Sequence, residues 1–196
     1  MDRDTLKLTL NESLSNNSLI LSLSIIDRDS NDNGRVTCRL DGSSLIPFQL
    51  IRLTENTAEL RTRELLDRES ISEYYFTLEI NDYGKPKSKT TRLNIHVTIL
   101  DENDNAPKFR QENIHVTISE HIKVNNSNGY EVYQIQAEDF DQDHNGEIIY
   151  EILDENKNHN QFQIDSQTGM IRAMVEFDRK QQNTYILNIQ ARDKGK

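Results

Sequence analysis

The sequence predicts an all-β protein built as two tandem immunoglobulin-like sandwiches. Three observations carry this reading: landmarks that recur at a near-constant offset, period-two apolar alternation, and turn-forming clusters between the alternating segments. The 196 residues suit two domains of about 100 residues each. Only 34% of the chain is apolar, so each core is thin and each domain small.

The repeat comes first. Asp27-Arg28-Asp29 with Asn33-Gly34 matches Asp139-Phe140-Asp141 with Asn145-Gly146, 112 residues on. Asp67-Arg68 matches Asp178-Arg179, and Asp82 matches Asp193, both at an offset of 111. Glu12 after Leu8-Thr9-Leu10 matches Glu120 after Val116-Thr117-Ile118, at 108. Phe48-Gln49-Leu50 matches Phe162-Gln163-Ile164. Five landmarks in one order mark two copies of one unit.

Each unit reads as strands. Leu6, Leu8 and Leu10 share a face, and Leu19–Ile26, Tyr74–Ile80 and Leu93–Ile99 alternate in the same way. In the second copy Ile114–Ile118, Tyr130–Ala137, Glu147–Ile152 and Tyr185–Ala191 repeat the pattern. Such alternation in β-branched and aromatic residues marks half-buried strands. Asp, Asn, Ser and Gly between them supply turns. About seven short strands per unit predict a sandwich. The strand Thr90–Leu100 follows Asp82, but the chain stops three residues after Asp193. The second unit is therefore expected to lack its last strand and to expose a sheet edge there, as an excerpt of a longer protein would.

Composition removes several function classes. With 33 acids against 23 bases the formal charge is −10, the wrong sign for a nucleic-acid binder. No run of about 18 apolar residues occurs to span a membrane, and polar Met1-Asp2-Arg3-Asp4 does not read as a signal peptide. One cysteine cannot form an internal disulfide; Cys38 reads as a buried core thiol. Histidines 96, 115, 121, 144 and 159 show no ligand spacing, and no nucleophile, phosphate-loop or zinc pattern occurs. Asp141-Gln142-Asp143-His144-Asn145-Gly146 fits the start of an EF-hand loop. Its twelfth position is Ile152, not glutamate, and in the matching loop from Asp29 it is Leu40. N-x-S/T sequons stand at Asn11, Asn16 and Asn125.

The acids cluster where the copies meet. Asp101-Glu102-Asn103-Asp104-Asn105-Ala106-Pro107 packs three acids and two amides before a proline that blocks helix. Calcium takes about six to eight hard oxygens from such groups. This segment resembles the linker of cadherin repeats. Leu66-Asp67-Arg68-Glu69, Ala137-Glu138-Asp139-Phe140-Asp141 with Asn145-Gly146, Glu12, and Ala191-Arg192-Asp193 resemble the family's other motifs. The resemblance covers essentially the whole chain. Asp27-Arg28-Asp29-Ser30, Asn33-Gly34-Arg35-Val36-Thr37-Cys38 and Pro47-Phe48 look most like protocadherins.

The resemblance implies Greek-key sandwiches, one cadherin repeat over 1–105 and a truncated one over 106–196, and about three calcium ions where they join. The first repeat would give Glu12, Asp67 and Glu69, with Arg68 as a packing residue behind them. The linker would give Asp101, Asp104 and the side chain of Asn103, with carbonyls of Glu102 and Asn105. The second repeat would give Asp139, Asp141 and Asp193, with the carbonyl of Asn145. One outer ion would take Glu12, Asp67, Glu69 and Asp104. The middle ion would add Asp101 and Asp141 around shared Glu12 and Glu69, and the last would sit among Asn103, Asp139, Asp141 and Asp193. Eight side-chain carboxylates against three divalent ions leave the filled site nearly neutral. Half-sites toward absent repeats would be Asp27, Asp29, Asn33 and Asp82 at one end, and Glu120 and Asp178 at the other. There Lys180 stands where the family has glutamate.

The implied role is calcium-dependent, homophilic cell–cell recognition. It would be exercised by the extracellular part of a plasma-membrane protein anchored outside this chain, against the same or a related cadherin on an apposed cell. The chain has no tryptophan, so adhesion by swapping a strand with an inserted tryptophan is not supported. A spacer repeat that touches no partner is the rival. A glycoside hydrolase using two of these acids is more distant, because one would have to stay protonated in a cleft. No enzyme is expected.

Overall fold

The computed structural model describes residues 5–29, 34–42, 46–124, 128–153 and 160–195. It divides into two compact units, with the boundary between Glu102 and Asn103.

Among its described residues unit one has seven strands: β1 (Thr5–Asn11), β2 (Leu19–Ser24), β3 (Val36–Asp41), β4 (Phe48–Arg52), β5 (Thr57–Thr62), β6 (Glu73–Asp82) and β7 (Thr90–Leu100). They form a four-stranded sheet in the order β1-β7-β6-β3 and a three-stranded sheet in the order β2-β5-β4. β1 and β7 run parallel, with Thr5 opposite Asn94 and Asn11 opposite Leu100; β6 lies antiparallel to both β7 and β3. Alternation sets the faces. Phe76 and Leu78 of β6, Ile95, Val97 and Ile99 of β7, and Leu60 of β5 turn into one core with Phe48. Phe48 packs edge-on to Tyr74 and against Phe76, with ring centroids 5.3 and 5.2 Å away. Thr62 is buried too, and its hydroxyl is paired: it donates to the Ser15 carbonyl and accepts from the Ser18 amide.

Cys38 of β3 lies at the edge of this core, and burial raises its thiol pKa, with Arg52 acting weakly in the opposite sense. Only the thiolate reacts readily. A maleimide at neutral pH is expected to label Cys38 at least about tenfold more slowly in the folded protein than after unfolding. Equal rates would show that the thiol is open.

Unit two contains β8 (Lys108–Phe109), β9 (Tyr130–Gln134), β10 (Ala137–Glu138), β11 (Ile149–Leu153), β12 (Phe162–Ile164), β13 (Met170–Ala173) and β14 (Asn188–Arg192). The ladders are β10-β8, β12-β13-β9 and β11-β14. Phe162, Ile171, Ile135, Tyr150, Ile122 and Ala173 form its core. Among the described residues there is no helix, so none is long and apolar enough to cross a membrane.

Three sequence expectations are corrected here. Ile114–Ile118 carries the alternation of a strand but joins no ladder. Its counterpart β1 pairs with β7 in unit one. Ile114 and Ile118 still pack on the core, while Val116 is left exposed. Tyr130–Ala137 is broken after Gln134, opposite the point where β13 begins at Met170 after Gly169, whose φ of 69° is left-handed. Of the predicted strand Tyr185–Ala191 only the part from Asn188 is laddered, within β14; Tyr185 instead packs against Phe162 and Phe177.

Candidate metal centre

At the end of β1, Glu12 is buried. Its carboxylate accepts hydrogen bonds from the Arg68 amide at 2.9 Å and the Glu102 amide at 2.6 Å. These bonds fix the carboxylate, and they tie the chain leaving β7 to the loop after β5. Glu12, Glu69 and Asp101 each place a carboxylate oxygen within 4.8 Å of the others. Two such charges about 4 Å apart repel by roughly 4 kcal/mol at a surface-like dielectric. Arg68 offsets part of this. Its buried side chain pairs with Asp101 at 2.5 Å and with Glu69.

Asp67 is employed differently. It accepts from the hydroxyl of Ser70 at 2.8 Å and its amide at 3.0 Å, and these bonds hold its carboxyl below the ordinary aspartate range. It is not among the three clustered carboxylates of unit one. Glu102 accepts from the Ser13 hydroxyl at 2.9 Å.

Unit two brings its own set together. The Asn105 side-chain amide donates to Asp141 at 2.8 Å and to Asp104 at 2.9 Å, and the Asn105 backbone amide donates to Asp141 at 3.2 Å. Asp104 and Asp141 present oxygens within 4.8 Å of each other. Asp139 Oδ1 accepts from the Asp141 amide at 3.0 Å. Its other oxygen, Oδ2, is buried with no hydrogen-bond partner among the described residues. Asn103 donates to Asp193 at 3.3 Å, and Asp193 also accepts from the Gly195 amide at 2.9 Å. Asn145 lies beside them: a Cβ built on Gly195 would come within 2.6 Å of its Oδ1 and 2.5 Å of Asn103 Nδ2. Gly146 is required for a similar reason, since a Cβ there would stand 2.1 Å from the Asp141 carbonyl.

The outer half-sites repeat this geometry. The Asp29 amide donates to Asp27 at 2.9 Å, as Asp141 does to Asp139. Asp82 accepts from the Lys89 and Gly84 amides, which lower its pKa, as Asp193 accepts from Gly195. Gly34 meets the Asp29 carbonyl as Gly146 meets that of Asp141. Glu120 accepts from the Arg179 amide at 3.1 Å, as Glu12 does from Arg68. Asp178 accepts from the Lys180 amide and the Gln181 side chain. Asn33 and the sequon at Asn125 lie outside the described residues.

Every candidate ligand here is an oxygen from a carboxylate, an amide or a carbonyl. That donor chemistry fits a hard cation such as calcium and disfavours zinc or copper, which favour nitrogen and sulfur. A buried carboxylate oxygen without a donor is the kind of atom a cation would satisfy. Two participants were not legible as such in the sequence. The ion pairs of Arg68 had no signal beyond its place in the motif. For Asn105 the resemblance implies only a backbone carbonyl, and its side chain is used as well.

Two β units with matched acidic ends define a class of tandem β-repeat, and comparison with known proteins specifies it. The cadherin domain profile matches residues 7–98 and 115–196; the chain belongs to the cadherin family. Human protocadherin gamma-B4 is 36% identical over 181 residues, covering 90% of this chain and 19% of that protein. Protocadherin-11 X-linked of Pongo pygmaeus is 36% identical over 186 residues, covering 95% and 13%. Extracellular cadherin domains 3–6 of protocadherin gamma B2 superpose with a TM-score of 0.86 at 33% identity, over 95% of this chain and 44% of that one. The chain thus spans about a fifth or less of the curated relatives it matches. Its relatives are cell-adhesion proteins of the protocadherin kind.

Proposed function

We propose that the chain is a calcium-dependent adhesion segment from the extracellular part of a plasma-membrane protein. It acts by recognition of the same or a related cadherin, without enzymatic activity. About three calcium ions would bind the acidic residues around the linker 101–107, where a repeat over 1–105 meets a repeat over 106–196. Glu12, Glu69, Asp101, Asp104, Asn103, Asp139, Asp141 and Asp193 would supply side-chain oxygens, and Asp67 would join on release from Ser70. The observation that supports this best is the convergence of Glu12, Glu69 and Asp101 within 4.8 Å. Three carboxylates with one guanidinium between them are left with net negative charge for a cation to balance. Bound ions stiffen the linker, so an extended interface aligns without the entropy loss of ordering a loose joint.

Bead aggregation tests the reading. Beads coated with the chain are expected to cluster in about 2 mM calcium, at the weak-binding end typical of extracellular modules, and to disperse in chelator. Beads that stay dispersed in calcium would indicate a spacer that touches no partner.

A further inference from the structure

Basic side chains gather at one end of the outer face of the β1-β7-β6-β3 sheet, where β3 begins and β6 turns into β7. Register places Arg39 of β3 opposite Glu79 of β6, and Glu79 opposite Arg92 of β7. Residues two apart on a strand share a face. The face therefore continues from this row through Thr37, Asn81 and Thr90 to Arg35 and Tyr83. The Tyr83 amide donates to the Arg35 carbonyl at 3.1 Å, and the Arg35 guanidinium lies over the Tyr83 ring, 5.8 Å from its centroid. The loop from β6 to β7 adds Lys85-Pro86-Lys87-Ser88-Lys89. Arg35, Arg39, Lys85, Lys87, Lys89 and Arg92 are all exposed.

The acids among them are engaged within the fold. Glu79 accepts from Arg39, Arg92 and Asn81, and its side chain is 5% exposed. Asp82 accepts from the Gly84 and Lys89 amides, which pins the lysine loop to the end of β6. Asp29 stands 3.8 Å from the Lys89 amine, and Asp27 accepts from the Asp29 amide. Asp41 and Glu73 lie further along the face, toward its other end. Six bases against four acids leave a local surplus of positive charge, on a chain whose formal charge is −10.

We infer that this patch binds a sulfated polysaccharide. Arginine and lysine hold oxyanions by charge-assisted bonds, arginine through two donors at once. Lysines crowded into a short run are a footprint of polyanion binding, heparin included. Rows of one face about 6.8 Å apart and strands about 4.8 Å apart put Arg35, Arg39 and Arg92 roughly 10–17 Å from one another. A single small anion reaches one or two of these groups. A polymer with anionic groups at intervals reaches several, and each added contact is made at high effective concentration. On these three rows only Tyr83 is a large apolar residue, so the face has no cluster of apolar anchors for a protein partner. At physiological ionic strength fields fade over about 8 Å, so acids elsewhere on the chain do not repel an oligosaccharide seated here. Sulfated polysaccharides are the abundant polyanions outside a cell. The choice of polyanion rests on the extracellular reading; the patch itself depends on neither calcium nor homophilic contact.

Retention of the full chain on immobilised heparin tests it, at about 0.15 M ionic strength. The wild type is expected to bind and to be released by salt, with log affinity falling linearly against log salt. Lys85→Ala with Lys87→Ala is expected to weaken binding at least about tenfold, and Arg35→Ala at least about threefold, each lost contact flattening the salt slope by about one. Lys108→Ala with Lys123→Ala, an equal loss of charge at exposed positions of unit two, leaves binding unchanged. Thermal midpoints measured alongside show that each variant is folded. A wild type that is not retained, or patch variants retained as well as the wild type, overturns the patch. Patch-dependent binding that is as tight to duplex DNA or to phosphatidylserine vesicles overturns the sulfated polysaccharide as its occupant.

Discussion

In about 2 mM calcium the thermal midpoint of the protein is expected to lie about 10 °C or more above its value in chelator. The magnitude follows from mass action. An ion bound with a dissociation constant of about 10⁻⁴ M contributes about 1.8 kcal/mol at that concentration. Each kcal/mol moves the midpoint of a domain of this size by about 4–8 °C. The gain is drawn from Glu12, Glu69 and Asp101, whose oxygens lie within 4.8 Å of one another, and from Asp104 and Asp141. Asp104→Ala is expected to remove most of the shift. It deletes one acceptor of the Asn105 amide but leaves the two Asn105 bonds to Asp141 intact, so the variant stays folded. Superimposable melting curves with and without calcium would show that these acids hold no cation.

Asp139→Asn is expected to change sign with the medium. Asparagine keeps the oxygen that accepts from the Asp141 amide and removes the negative charge beside the buried, unpartnered Oδ2. A buried anion without a donor costs more than the neutral amide that replaces it, so in chelator the variant is expected to be the more stable protein. In calcium the same substitution removes an anionic ligand, and the wild type becomes the more stable one. Crossing of the two stability orders on addition of calcium is the measured signature. A variant less stable in both media would mean that Asp139 serves only the turn that carries it.

The two units show what alternation reports and what it does not. Leu6, Leu8 and Leu10 read as a strand and form one. Ile114, Val116 and Ile118 carry the same pattern and do not. Apolar periodicity records which side of an extended segment faces a core. A ladder also needs a neighbour offering its backbone, and that lies elsewhere in the sequence. The acidic ends were readable for a different reason. Glu12 and Glu120, or Asp139 and Asp27, recur in register, and the structure gives each pair the same hydrogen bond. What did not repeat stayed hidden. Arg68 pairs with Glu69 and Asp101, but Lys180 follows Arg179 where Glu69 follows Arg68, so comparing the copies could not expose that network. Asn105 has no counterpart in either copy, and nothing in its identity tells whether side chain or carbonyl is used.

The parallel pairing of β1 with β7 has a mechanical meaning. The first and last strands of unit one lie side by side through seven paired residues, from Thr5 beside Asn94 to Asn11 beside Leu100. Tension on the chain pulls β1 by its leading end and β7 by its trailing end. In parallel strands those ends lie at opposite extremes of the ladder, so the load runs along the strands and across the evenly spaced, slanted bonds. The bonds are sheared together and not peeled one at a time. Unit one is thereby clamped against stretch by the strands through which force would enter and leave it.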